Sequence, residues 1–171
     1  MVLLVGLRHG TCAAYLGGDG DLEYIVSRIR ERWPPQEHPI EIHFRADSGF
    51  GSPVIYEACE RLGVIYTLGI GMNAVFKRQT EDLLADAVAE YKKTSEKQRL
   101  FTTFAHQAKS WAHPRQIVVK AEAHVAGTNR CAAVSNRAGA ATLPRWTYDE
   151  YVQRGESENR NIERSEQSST N

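Results

Sequence analysis

Two stretches of this chain bring together side chains of the kind that do chemistry. The first is Arg45-Ala46-Asp47-Ser48-Gly49-Phe50. Asp47 falls where a run of period-two alternation ends and a Ser-Gly turn begins, which marks the carboxyl end of a strand. In α/β sheets, ligands and reacting groups gather at that edge. The same carboxylate could instead bond the backbone of its own turn as an Asx-turn, a purely structural task. The second stretch is Tyr151-Val152-Gln153-Arg154-Gly155-Glu156-Ser157-Glu158. At 3.6 residues per helical turn, Tyr151, Arg154 and Glu158 share one face. A phenol, a guanidinium and a carboxylate would then project together. A solvated helix face with an Arg154–Glu158 pair produces the same pattern.

Other candidates carry less. His9, His38, His43, His106, His113 and His124 are scattered, without the H-x-x-x-H or H-E-x-x-H spacing of a zinc site. Gly69-Ile70-Gly71 lacks the third glycine of a dinucleotide-binding turn. Ser48 and Ser52 do not stand in a G-x-S-x-G elbow. Trp33, Trp111 and Trp146 read as core or edge packing, and Lys92-Lys93 with Lys97 as a solvated helix end.

The elements that must position these groups follow from local pattern. Residues 2–7 form an apolar run that predicts a buried strand. A helix over 22–33 is expected, with Leu22, Ile25, Val26 and Ile29 on one face. Asp19 or Asp21 would be its N-cap, and Pro34-Pro35 its stop. Alternation of Ile40, Ile42, Phe44 and Ala46 with polar residues predicts a strand over 39–47. Ser52-Pro53 opens a helix that Gly63 closes, and a strand over 64–68 follows. This strand–helix–strand order predicts parallel pairing in an α/β layer. A single amphipathic helix is expected over 76–97. Strands follow over 100–108, 117–123 and 130–135, the last two joined as a hairpin through Gly127-Thr128-Asn129. A helix over 148–163 closes the domain. Residues 164–171 contain no apolar side chain and are expected to be a disordered polar tail.

Composition sets the outer bounds. The chain has 171 residues, 42% hydrophobic and 25% charged, with a net charge of zero. That suits one globular domain and argues against a strongly basic, autonomous nucleic-acid binder. Three cysteines without paired spacing fit a reducing compartment. No stretch reads as a secretory signal or a membrane span, so the expected location is cytoplasmic, without a membrane partner.

Taken together, the two stretches resemble a known family. Tyr151, Arg154 and Glu158 match the Y-x2-R-x3-E helix signature of DDE transposases of bacterial insertion sequences. The stretch from Arg45 to Phe50 looks like the strand motif around their second aspartate, and Val134-Ser135-Asn136 resembles a strand end between the two. The branch it resembles is the transposase DDE domain, group one, over residues 3–163. The resemblance implies a ribonuclease-H-like fold, a mixed sheet flanked by helices, with residues 1–163 as a partial catalytic domain. It implies that Asp47 and Glu158 are metal ligands, and that Tyr151 and Arg154 accompany them in the catalytic group. Arg154 would hold a DNA phosphate or orient Glu158. The implied cofactor is Mg²⁺ or Mn²⁺, because two hard ions roughly 3.5–4 Å apart serve both ends of a phosphoryl displacement. The implied partners are DNA at the transposon ends and a second copy or an intact transposase.

The departures shape what is expected of the chain. The first strand of such a fold, with its aspartate, would precede residue 1. Ser165 stands where the signature has a basic residue seven positions after Glu158. The chain is thus expected to be truncated at both ends, inactive in DNA cleavage alone, and to expose a sheet edge. A non-catalytic remnant that binds DNA or a transposase and modulates transposition is the alternative. An unrelated α/β hydrolase or nuclease is a further one.

Overall fold

The structure is a computed structural model and describes residue 13 and residues 15–153. The expected strand over 2–7, the polar tail over 164–171 and the second half of the final helix lie outside the described residues.

Chain order runs α1 (Gly18–Arg32), β1 (His43–Ala46), a 3-10 turn (Ser48–Phe50), α2 (Pro53–Arg61), β2 (Ile65–Ile70), α3 (Ala74–Gln79) and α4 (Glu81–Thr94). Then come β3 (Gln98–His106), β4 (Arg115–His124), β5 (Gly127–Ser135) and α5 (Pro144–Val152). The five strands form one mixed sheet in the order β1-β2-β5-β4-β3. β1 and β2 are parallel, as the strand–helix–strand order predicts, and the remaining pairs are antiparallel. Among the described residues, no strand pairs with the outer side of β1.

Successive strand residues point to opposite faces, and the core divides accordingly. Ile117, Val119, Val134, Tyr66 and Leu68 pack with Val26 of α1, Ile55 and Tyr56 of α2, and Phe76 of α3. On the other face, Val118 and Ala133 pack with Tyr148 and Tyr151 of α5. α4 lies along β3 and β4. The result is a mixed sheet flanked by helices, the arrangement expected for a ribonuclease-H-like domain.

Several boundaries differ from the sequence expectations for identifiable reasons. The first helix starts earlier, at Gly18. Gly17, at φ +72°, turns the chain into it, so Asp19 and Asp21 lie inside the first turn and act on the helix dipole rather than as caps. The strand expected over 39–47 pairs only at His43–Ala46, because its partner begins at Ile65. The expected faces hold: Ile42, Phe44 and Ala46 pack against the core. The long helix over 76–97 is two helices broken at Thr80. There the Thr80 hydroxyl donates to the Phe76 carbonyl at 2.7 Å, and Arg130 of β5 donates to the Lys77 carbonyl at 2.6 Å. The hairpin turns at Val125-Ala126 rather than at Gly127-Thr128-Asn129, since His124 already pairs with Gly127.

Candidate active site

Asp47 follows the last residue of β1 directly, at the carboxyl edge of the sheet. Its side chain is exposed, and its Oδ1 accepts a hydrogen bond from the Gly49 amide at 2.8 Å, so the Asx-turn geometry is present. Among the described residues, Asp47 forms no ion pair. Among the described residues, the other carboxylate oxygen is thus not held by a cation.

The neighbouring strand makes a close approach feasible. Gly69 of β2 sits beside the Asp47–Ser48 peptide, and a Cβ on Gly69 would fall 2.6 Å from the Tyr151 hydroxyl oxygen and 2.8 Å from the Ser48 nitrogen. The phenol of α5 and the backbone just after Asp47 thus converge on the space a side chain at position 69 would need. A Cβ on Gly51 would meet the Gly69 carbonyl oxygen at 2.6 Å, so the turn after Asp47 also lies tightly against β2. Neither glycine was singled out for this role by the sequence pattern. A glycine inside a strand is nonetheless a signal of close backbone approach, and Gly69 meets that description.

α5 is tied to the strand that carries Asp47. Arg45 donates to the Glu150 carbonyl at 2.6 Å. The Glu150 carboxylate meets Arg137 at 2.7 Å and His43 at 3.5 Å. Tyr151 is buried and packs edge-on against Tyr148, with ring centroids 5.7 Å apart. Burial, with the neighbouring Cys131 and Tyr151 adding to it, drives the Tyr148 hydroxyl far above the ordinary phenol range.

The structure thus brings Asp47 and Tyr151 to one edge of the sheet. Arg154 and Glu158 lie outside the described residues. No group of three or more His, Cys, Asp or Glu side chains placed to hold a metal ion occurs among the described residues.

A second polar cluster lies toward the opposite end of β2. Arg115 donates through Nε and Nη2 to both Glu60 carboxylate oxygens at 2.9 Å, and Tyr66 donates to Glu60 at 2.9 Å. Burial works to raise the Glu60 pKa, but the Arg115 hydrogen bonds and charge, with the Tyr66 hydroxyl, outweigh it and hold the carboxyl below its usual range. The Arg115 guanidinium also lies over the rings of Tyr56 and Trp111. Tyr56, Tyr66 and Trp111 of this cluster belong to the buried core.

The family model described as transposase DDE domain, group 1, matches residues 1–169. The chain belongs to that family. Membership carries a transposase-related function, and DDE transposases as a class depend on divalent metal ions. No curated protein and no solved structure matches the chain. No helix of the described residues is long and apolar enough to cross a membrane.

Proposed function

We propose that this DDE domain contributes Asp47 and Glu158 as metal-binding carboxylates to metal-dependent DNA cleavage and strand transfer, and that the chain alone does not cleave DNA. The observation that carries the reading is the placement of Asp47. It stands at the carboxyl edge of a parallel strand pair, with the Tyr151 phenol brought to the same edge over Gly69. The donor chemistry suits the ion: Mg²⁺ takes carboxylate oxygens, one or two per ion, and fills its remaining positions with water and substrate phosphate. Bound there, the ions would supply charge stabilisation at the attacking and leaving oxygens. The protein's own contribution is orientation. The Gly49 amide fixes the Asp47 carboxylate, and Arg154, three residues after Tyr151 in the helix signature, would meet a DNA phosphate or steady Glu158.

A second reading, a non-catalytic remnant that binds DNA or an intact transposase, is favoured by the Asx hydrogen bond, which gives Asp47 a structural task. The two readings separate by substitution. Asp47→Asn keeps an acceptor for the Gly49 amide and loses the charge, whereas Asp47→Ala loses both. On the catalytic reading, Mn²⁺ binding to the full chain, followed by paramagnetic resonance, weakens at least tenfold in both variants and in Glu158→Gln. Stability falls only in Asp47→Ala, by about 1 kcal/mol, as for a lost capping acceptor. Unchanged Mn²⁺ binding in Asp47→Asn and Glu158→Gln would leave Asp47 its structural role alone. Cleavage of supercoiled plasmid by the wild-type chain with Mn²⁺, abolished in Asp47→Ala, would overturn the claim of inactivity.

A further inference from the structure

A groove of about 600 Å³ opens between the first turn of α5 and the edge strand β3. Phe101 and Leu143 give it an apolar lining, Arg99 and Arg145 give it cations, and Trp146 lines it with 48% of its surface exposed. The Arg137 guanidinium covers one face of that indole, 4.0 Å from the ring centroid, and Glu150 holds Arg137 in turn at 2.7 Å. The ring is therefore held by a contact on one face while nearly half of its surface stays exposed.

The surroundings carry a positive surplus. Lys97 and Lys120 each lie 3.1 Å from the single carboxylate of Glu122, with Arg99 at 3.7 Å. Arg99 also pairs with Asp149 at 2.9 Å, and Arg145 flanks the same carboxylate at 3.7 Å. Four permanent cations thus face two carboxylates, in a chain whose formal net charge is zero. α5 also starts without a side-chain cap, because Leu143 at the N-cap position offers no acceptor.

We propose that this groove takes an unpaired nucleotide of a single-stranded nucleic-acid segment, its base stacked on Trp146 and its phosphates held by Arg145 and Arg99. A rigid aromatic face beside cations is the chemistry that binds single strands without reading sequence. A paired base offers its edges, not its face, so duplex fits this surface poorly. A purely apolar ligand would make no use of the cations. The proposal rests on the reading of the chain as a DNA-handling domain and extends it. Trp146 and Tyr151 are on the same helix, about 7.5 Å apart along its axis.

The test is fluorescence anisotropy of a labelled oligothymidylate of about twelve nucleotides, titrated with the full chain in EDTA, where metal binding plays no part. The oligothymidylate should bind more tightly than a duplex of equal length. Trp146→Ala should weaken it about tenfold, while Trp146→Phe keeps most of the affinity. Arg145→Glu should also reduce the slope of log affinity against log salt by about 0.7 or more. Trp146→Ala should bind Mn²⁺ like the wild type, which keeps the outcome independent of the carboxylates. Trp146→Ala binding within twofold of wild type would overturn the proposal. So would equal affinity for duplex, or an effect of Trp146→Ala confined to self-association in sedimentation, which would make the groove a contact between copies of the chain. Loss of Mn²⁺ binding with oligothymidylate binding intact, or the reverse, identifies which of the two readings has failed.

Discussion

Replacing Gly69 with alanine tests the geometry that joins α5 to Asp47. The new methyl carbon would lie 2.6 Å from the Tyr151 hydroxyl oxygen, 2.8 Å from the Ser48 nitrogen and 3.2 Å from the Asp47 carbonyl carbon. The phenol can swing away; the two backbone atoms cannot move without shifting the turn. Overpacking of this kind costs about 1–3 kcal/mol, and the backbone contacts place Gly69→Ala toward the upper end. Gly69 is not among the glycines with positive φ, so backbone strain adds nothing. The lower entropy of the unfolded chain returns about 0.4–1 kcal/mol. The expected net loss is about 1–2.5 kcal/mol, or a fall in Tm of about 2–10 °C for a chain of this size. Urea unfolding followed by far-ultraviolet circular dichroism measures it. The double variant Gly69→Ala/Tyr151→Phe removes the hydroxyl but leaves Ser48 in place. The cost of Gly69→Ala should therefore drop by about 0.5–1 kcal/mol in the Tyr151→Phe background, without vanishing. Wild-type stability in Gly69→Ala, or the same cost in both backgrounds, would refute the approach of the phenol to Gly69.

Glu60→Gln leaves the Arg115 guanidinium buried without its counter-charge and should cost about 3 kcal/mol, read as a lower urea midpoint at unchanged slope. The same pair sets a pH dependence. A carboxyl whose folded-state pKa lies below its ordinary 4.5 stabilises the fold above that value, and the stabilisation is lost as pH falls through the lower one. The wild-type midpoint should thus fall below about pH 4.5 more steeply than that of Glu60→Gln; parallel curves would contradict it. Burial, helped by the Glu60 charge, pushes the Cys59 thiol up to about 12. With Cys12 and Cys131 replaced by serine, an aromatic disulfide reagent at pH 8 should label Cys59 only as fast as the protein unfolds. Labelling at the rate of a free thiol would show Cys59 to be accessible.

Elements set by local chemistry were legible in the sequence. α2 lies within one residue of expectation at both ends, because Pro53 fixes its first turn and Gly63, at φ +60°, ends it. Ser52 stands at the N-cap as expected, yet its hydroxyl makes no cap bond and is buried without a partner. Position was readable there and the hydrogen bond was not. The break at Thr80 was hidden because Arg130, which donates to Lys77 and Thr80 across it, lies fifty residues further along the chain. Gly69 was hidden for a related reason: β2 reads as an apolar strand whatever passes above it, and only α5 and the turn after Asp47 make the missing side chain necessary. Asp47 and Tyr151 could be singled out because each belongs to a short pattern with fixed spacing, and the fold places the Tyr151 hydroxyl and the backbone just after Asp47 beside Gly69.

The Asx hydrogen bond and a ligand role for Asp47 are compatible, and the first helps the second. An ionised carboxylate offers about four lone-pair positions, and the Gly49 amide takes one of them. Ligating carboxylates are commonly oriented by such a donor. The turn therefore sets the direction of the remaining oxygen without exhausting its capacity. The course of α5 is tied to the same strand, because Arg45 and His43 of β1 both meet Glu150. A one-residue slip of β1 would turn Arg45 and His43 to the opposite face and release the helix at the same time as it displaced Asp47. Strand register and helix position are thus set by one group of contacts, which is what a site assembled from two distant segments needs.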